Sequence, residues 1–181
     1  MRPKTSNKSN HKNLAGEFYA LSKLLLEGYD ATLTLGNTKG VDILVYNPKT
    51  DKQFLVEVKT STNGVNKKSR IWGKSFYHWH PLKFNKEQFR KKNLIFGFVN
   101  FDKKENNKAS LWFVPSKEVK NYIKWENPFW IKGEHRKKIN NNERRTFRIY
   151  INENKERDSK NREIRKIKSS DYDNFSLFNA R

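Results

Sequence analysis

Residues 41–61 read V-D-I-L-V-Y-N-P-K-T-D-K-Q-F-L-V-E-V-K-T-S, and the fold turns on them. Two runs rich in β-branched residues, 41–46 and 53–59, flank N-P-K-T-D, a cluster of turn formers, so the pattern predicts an antiparallel hairpin. A turn symmetric about Lys49, between the runs, sets opposite one another the strand positions whose numbers sum to 99, and Asp42 then faces Glu57. Opposite residues of an antiparallel pair project to the same face, with Cβ atoms about 4.5–5.5 Å apart. Period two adds Lys59 to the face of Glu57 and sends Phe54, Val56 and Val58 the other way, into apolar packing. Facing carboxylates destabilise a sheet unless a cation lies between them. A divalent metal supplies that cation, and oxygen ligands with open water positions suit Mg²⁺. The competing reading is a surface hairpin in which Lys59 simply neutralises Glu57 and Asp42 is incidental.

Upstream, Leu14, Phe18, Leu21 and Leu25 recur at helical spacing, with Asn13 placed as N-cap and Gly28 as terminator. On a wheel advancing about 100° per residue, Glu17 falls inside the arc of these apolar residues. A carboxylate there needs a partner, unless its stem carries it out to water. A-T-L-T-L, residues 31–35, alternates as a strand closed by Gly36 and Asn37. Downstream, residues 61–75 read as a basic loop with few apolar anchors, and 84–92 as a short helix. N-L-I-F-G-F-V-N-F (93–101) and S-L-W-F-V-P (110–115) read as strands around K-K-E-N-N-K, and Ser116 as the cap of another helix. The order is helix, three strands, helix, two strands, helix, which is an α/β architecture.

Glu17 on a first helix, Asp42 at the start of a strand, and Glu57, Val58 and Lys59 on the next strand, with Thr60 and Ser61 following, resemble the PD-(D/E)XK nuclease superfamily. That superfamily includes many restriction enzymes and the archaeal-type Holliday junction resolvases. The order of elements from about residue 13 to 125 also resembles its restriction endonuclease-like αβββαβ core, a central mixed sheet flanked by helices. Val41 stands where the eponymous proline would be. The resemblance implies metal-dependent hydrolysis of DNA phosphodiester bonds, on duplex or branched substrates, leaving 5′-phosphate and 3′-hydroxyl ends. It implies that Asp42, Glu57 and the backbone carbonyl of Val58 hold Mg²⁺, for which Mn²⁺ substitutes, and that Lys59 orients or helps deprotonate the attacking water. Glu17 becomes an outer ligand or the holder of a second metal. Cleavage of two strands implies a homodimer, and a restriction or defence role implies a larger defence or repair complex.

Composition agrees with a polyanionic partner. The chain of 181 residues carries 39 Lys and Arg against 19 Asp and Glu, a net charge of +20. Counterion release rewards such clustering on nucleic acid. The charge is most one-sided in the middle: residues 1–60 hold nine basic and six acidic side chains, 61–102 nine and two, and 103–181 twenty-one and eleven. Lys67, Lys68, Arg70 and Lys74, just after the motif strand, are the candidate grip on the DNA backbone. The absence of cysteine excludes a disulfide scaffold, a zinc ribbon and a thiol nucleophile, and suits a cytoplasmic protein. No apolar stretch follows the basic first dozen residues, and no run is long enough to span a bilayer, so a soluble chain with no membrane partner is expected. His78 and His80 could share one face of an extended segment, but a zinc pair lacks a third ligand. No G-x-x-x-x-G-K loop occurs, which argues against nucleotide-driven translocation.

The chain therefore divides into a flexible basic N-terminus (1–12), a nuclease core (13–132) and a basic C-terminal extension (133–181) in which F-R-I-Y-I and F-S-L-F could pack at an edge. The alternative function is a non-catalytic nucleic-acid-binding module of nuclease-like fold within a larger assembly. A ribosomal-type RNA-binding protein explains the charge but not the convergence of three acids.

Overall fold

The computed structural model describes residues 6–34, 40–80, 88–133, 135, 146–151, 157–172 and 175–179. Gly36, Asn37 and the first part of the helix expected at 84–92 lie outside them. Helix α1 (Ser6–Leu26) leads into β1 (Asp30–Leu33), β2 (Ile43–Asn47), β3 (Lys52–Ser61) and β4 (Phe76–Trp79). Then follow β5 (Leu94–Asp102), β6 (Lys108–Pro115), α2 (Ser116–Ile131) and β7 (Phe147–Tyr150). Five strands form a mixed sheet in the order β1-β2-β3-β5-β6, while β4 and β7 form a separate antiparallel pair. Only the β3–β5 neighbours in the five-stranded sheet run parallel. The molecule is α/β.

The hairpin has the expected register. Ile43 pairs with Val56 and every following pair down to Asn47 with Lys52 keeps the sum of 99. One step beyond β2 the register shifts: the Asp42 N–H donates to the carbonyl of Val56, the partner of Ile43, at 2.8 Å, so Asp42 does not continue the pairing that would set it opposite Glu57. At the turn, Asn47 Oδ1 accepts from the Lys49 N–H, and Asp51 takes a left-handed φ of 57°. Asn47 is thus an Asx-type turn former.

Helix α1 differs from expectation in two ways. It begins by Ser6, so residues 6–12 are helical and Asn13 is an interior residue rather than a cap. Its buried stripe is Gly16, Ala20 and Leu24, whereas Leu14, Phe18 and Leu25 face outward. The reason is close packing on β3: a Cβ at Gly16 would lie 1.9 Å from Thr60 Oγ1 and 3.0 Å from Thr60 Cβ and Cγ2. A helix seated this tightly presents its small residues to the sheet. Its end is as read from sequence. Gly28, at φ +83°, follows the last turn; its N–H donates to Leu25 and that of Tyr29 to Leu24. This is a Schellman closure, with Leu24 and Tyr29 in one apolar cluster.

The sheet is covered on both sides. On the α1 side, Ala20 and Leu24 pack with Ile43, Val45, Phe54, Val56, Val58, Ile95, Val99 and Phe113. On the other, Phe96, Phe98, Trp112 and Val114 meet Val119, Tyr122 and Ile123 of α2 and Tyr77, Trp79, Phe147 and Ile149 of the β4–β7 pair. A third cluster behind that pair holds Ile71, Trp72, Phe76, Phe129, Tyr150 and Ile164. Ile71 and Trp72 therefore anchor the segment read as a loop with few apolar anchors. Ser116 is the first residue of α2 and not its cap; Pro115 holds the cap position without a side-chain bond. At the expected second helix, a 3₁₀ turn covers Gln88–Arg90.

The segment after residue 133 shares these cores. Phe147 and Ile149 are fully buried on one side of the sheet and Phe178 on the other, so its described residues belong to the same body rather than trailing from it. The piece F-R-I-Y does pair at a strand, β4.

Replacing Gly16 with Ala tests the seat of α1. Helix propensity alone favours Ala by about 1 kcal/mol, yet the added methyl would meet Thr60 Oγ1 at 1.9 Å and Thr60 Cβ at 3.0 Å. Overpacking should lower stability by about 1–3 kcal/mol in urea denaturation, with part of the loss recovered by adding Thr60→Ala.

Candidate functional site

The candidate site is the end of the β2–β3 hairpin nearest α1. Asp42 precedes β2, and its Oδ2 accepts from the Val58 N–H of β3 at 2.6 Å. One carboxylate oxygen is thereby tied to the backbone, and the side chain is held across the two strands. Glu57, 5% exposed, carries Lys59 as an ion-pair partner at Oε1, while Glu57 Oε2 is buried without a hydrogen-bond partner. The Lys59 side chain is 32% exposed, so its ammonium is reachable from solvent. Glu17 is half-buried on α1, beside the Gly16–Ala20–Leu24 stripe.

Electrostatics join these residues. Burial, first of all, holds the carboxyls of Glu17, Asp42 and Glu57 above the usual carboxylate range. The charge of Asp42 raises Glu17 and Glu57 further, and Lys59 opposes the shift in all three. The Val58 N–H also favours the ionised form of Asp42, and Lys91 that of Glu57. Three carboxyls made reluctant to ionise by burial, with Lys59 and Lys91 as the cations that oppose the shift, leave acids in excess of bases. Two carboxylates and a backbone carbonyl, with a buried carboxylate oxygen left over, match the oxygen donor set of Mg²⁺. Among the described residues, no group of three or more His, Cys, Asp and Glu side chains is close enough together to hold a metal. Asp42 and Glu57 are coupled through charge, and Glu17 senses Asp42 and Lys59 from α1.

Lys67, Lys68, Arg70 and Lys74 are exposed on the connection from β3 to β4. Ile71 and Trp72 pin that connection to the third core, and a bridge between Ser69 and Gly73 tightens it, so the basic side chains project from an anchored turn. His78 lies on β4 and His80 just beyond it. His78 sits 3.4 Å from Asn63 Nδ2, and His80 Nδ1 lies 2.7 Å from Thr146 Oγ1. Burial and the neighbouring Arg148 and His80 push the His78 imidazole below its usual value.

Lys91 near Glu57 was not legible in the sequence. It belongs to a run of basic residues ahead of β5, and only the β3–β5 pairing brings that run to the acids. The Arg148–Glu126 ion pair, 3.0 Å long and buried, with Arg148 stacked 3.6 Å from the centre of the Trp72 ring, was equally hidden. It braces the small sheet against α2.

No family model, curated protein or solved structure matches this chain. No helix among the described residues is long and apolar enough to cross a membrane.

The raised carboxyls fix a sign. A group whose folded pKa exceeds its unfolded value binds more protons when folded, so its stabilising share is present below the ordinary carboxylate range, near pH 4, and is lost as pH rises through the folded value. Asp42→Asn keeps an acceptor for the Val58 N–H and removes the charge. In metal-free buffer this variant should melt above the parent at pH 7, and the difference should shrink towards pH 4. Mg²⁺ at a hundredfold excess over its dissociation constant should stabilise the parent at pH 7 by about 2.7 kcal/mol and leave the variant nearly unchanged. Scanning calorimetry at both pH values measures all three effects.

Proposed function

We propose that this protein is a metal-dependent endonuclease that hydrolyses DNA phosphodiester bonds, with the hairpin acids as its reaction centre. The observation that carries the reading is the convergence of Asp42, Glu57 and Lys59 on one strand pair, with the carboxyls raised by burial and one Glu57 oxygen left without a partner. A structural ion pair needs one acid and one base; this site has an acid in excess.

In this reading Asp42, Glu57 and the Val58 carbonyl hold Mg²⁺, which when bound supplies a Lewis acid for the phosphate and for charge developing on the leaving oxygen. Lys59, whose ammonium is both reachable and paired with Glu57, orients the attacking water and the non-bridging phosphate oxygen. Glu17 holds water or a second ion from the α1 side. The anchored basic turn from Lys67 to Lys74 binds the DNA backbone, and a +20 chain concentrates polyanions at its surface. A helix ahead of a mixed sheet, with the acids on the β2–β3 hairpin, supports membership of the PD-(D/E)XK superfamily and its restriction endonuclease-like core. Both a four-way junction and linear duplex are candidate substrates, and a homodimer would cut both strands.

The test is cleavage of labelled linear duplex, single strands, four-way junctions and RNA, with Mg²⁺, Mn²⁺ or EDTA. Cleavage should require metal, and Glu57→Ala or Lys59→Ala should reduce it at least about 10²-fold to 10⁴-fold while DNA affinity stays within a few fold. Salt-sensitive binding with no cleavage of any substrate would replace this reading by a nuclease-like binding module. Each of Lys67→Ala, Lys68→Ala, Arg70→Ala and Lys74→Ala should weaken binding across sequences and lower the salt slope by about one.

A further inference from the structure

Helix α2 presents one sign of charge to solvent. Val119, Tyr122, Ile123, Glu126 and Phe129 form its buried side. On the opposite side Lys117, Lys120 and Lys124, with Lys132 at the C-cap, fall within an arc of about 120°. Lys117, Lys124 and Lys132 are exposed and Lys120 is half-buried, and among the described residues no ion pair engages any of the four. The acids around the helix are already taken. Glu118 meets Arg165 at 3.5 Å, and the buried Glu126 meets Arg148 at 3.0 Å. Asp158 lies 2.6 Å from Arg162, whose guanidinium also donates to the Phe129 carbonyl. Arginines from the C-terminal segment thus neutralise these three acids, and the lysine stripe is left without a paired acid.

The stripe joins two other basic segments. Near its start, Phe89 of the 3₁₀ turn Gln88–Arg90 stacks on Phe96, whose β6 partner Val114 lies two residues ahead of α2, and the turn packs against the helix. That turn leads into the run Arg90, Lys91 and Lys92, of which Lys91 favours the ionised form of Glu57. At the other end, Trp72 packs on Trp125 and Phe129, and a Cβ at Gly133 would lie 2.9 Å from Ile71 Cδ1, so the basic turn from Lys67 to Lys74 abuts the helix.

We propose that the outward face of α2 is a docking surface for a nucleic-acid phosphate backbone, which it carries from the basic turn at one end towards Glu57 at the other. At about 1.5 Å per residue the stripe runs about 22 Å from Lys117 to Lys132. Phosphates of one strand recur about every 3.4 Å along a duplex axis, so the stripe spans several of them. Lysine is a point charge on a flexible stem, and it grips phosphates without reading bases. The contact is therefore independent of sequence. A membrane surface is the wrong partner, because Ile131 is the one large apolar side chain that α2 exposes. The inference rests on the nucleic-acid half of the proposed function and not on hydrolysis.

Anisotropy of labelled duplexes of two unrelated sequences, titrated with the full chain in EDTA across a salt series, measures binding with no cleavage required. Lys117→Ala, Lys120→Ala and Lys124→Ala combined should lower the slope of log affinity against log salt by about 2.7. The same variant should bind both sequences equally weakly, at least about tenfold below the parent at about 0.1 M salt. Its melting temperature should hold, since the three side chains lie outside the core. Replacing Lys23, Lys49 and Lys52, on α1 and the hairpin turn, with Ala removes the same charge and should keep the parent's slope. The chain has no cysteine, so a photo-crosslinker on Asn121→Cys, on the same face of α2, should join the duplex, and one on Leu26→Cys, at the end of α1, should not. Equal slopes for the two triple variants, or a parent that binds anionic lipid vesicles but no duplex, would overturn the proposal. A chain whose binding depends on the α2 lysines but which cuts no substrate would remove the hydrolytic reading and leave this one standing. Cleavage at the parent's rate on dilute DNA without those lysines would do the reverse.

Discussion

A single hydrogen bond, from the Val58 N–H to Asp42 Oδ2, ties the candidate chemistry to the fold. It joins the residue just ahead of β2 to the later part of β3. The acid is thereby held at a fixed place beside Glu57. The bond also sets the electrostatic problem, because a carboxylate pinned on a half-buried sheet cannot turn away from its neighbour. Lys59 offsets part of that repulsion and leaves one Glu57 oxygen over. Buried polar atoms left in this way cost free energy in proportion to their desolvation, and such costs cluster at sites of function.

Around that bond the packing is arranged to keep the hairpin still. Gly16 lets α1 sit directly on Thr60, one residue beyond Lys59, and the same approach carries Glu17 to within reach of the Asp42 and Lys59 charges. From the opposite end, Phe178 fills the α1-side core against Phe54, Phe113 and Tyr29, while Asn47 at the hairpin turn donates to the Phe178 carbonyl. The C-terminal residues thus clamp the turn that sets the register. Aromatic residues, 14% of the chain, are mostly core filling here. Phe98 stacks on Phe147 with ring centres 4.2 Å apart, joining the two sheets.

The distribution of charge divides the molecule by task. Inside, Arg148 is matched by Glu126 and by the faces of Trp72 and Phe76, so a buried cation is compensated on several sides. Outside, lysines and arginines are displayed from a turn that Ile71 and Trp72 hold in place. The outward side of α1 departs from this scheme, with Leu14, Phe18, Leu25 and Leu26 exposed.

The sequence by itself determined the hairpin and its register from Ile43 to Asn47, because those depend on neighbours within twenty residues and on a period of two that admits no slip while one face is buried. It also determined the end of α1, where Gly28 supplies a positive φ that few other residues tolerate. Tertiary structure decided which side of α1 is buried. Leucine spacing alone favours Leu14, Phe18 and Leu25, but the helix can approach β3 only on its glycine and alanine side, and that depends on Thr60, distant in sequence. Tertiary structure likewise decided that Phe147, Ile149 and Phe178 belong to the core. Their short apolar pieces lie in a run of charge that reads as a tail, and only the two faces of a sheet assembled from residues far upstream give them a surface to bury.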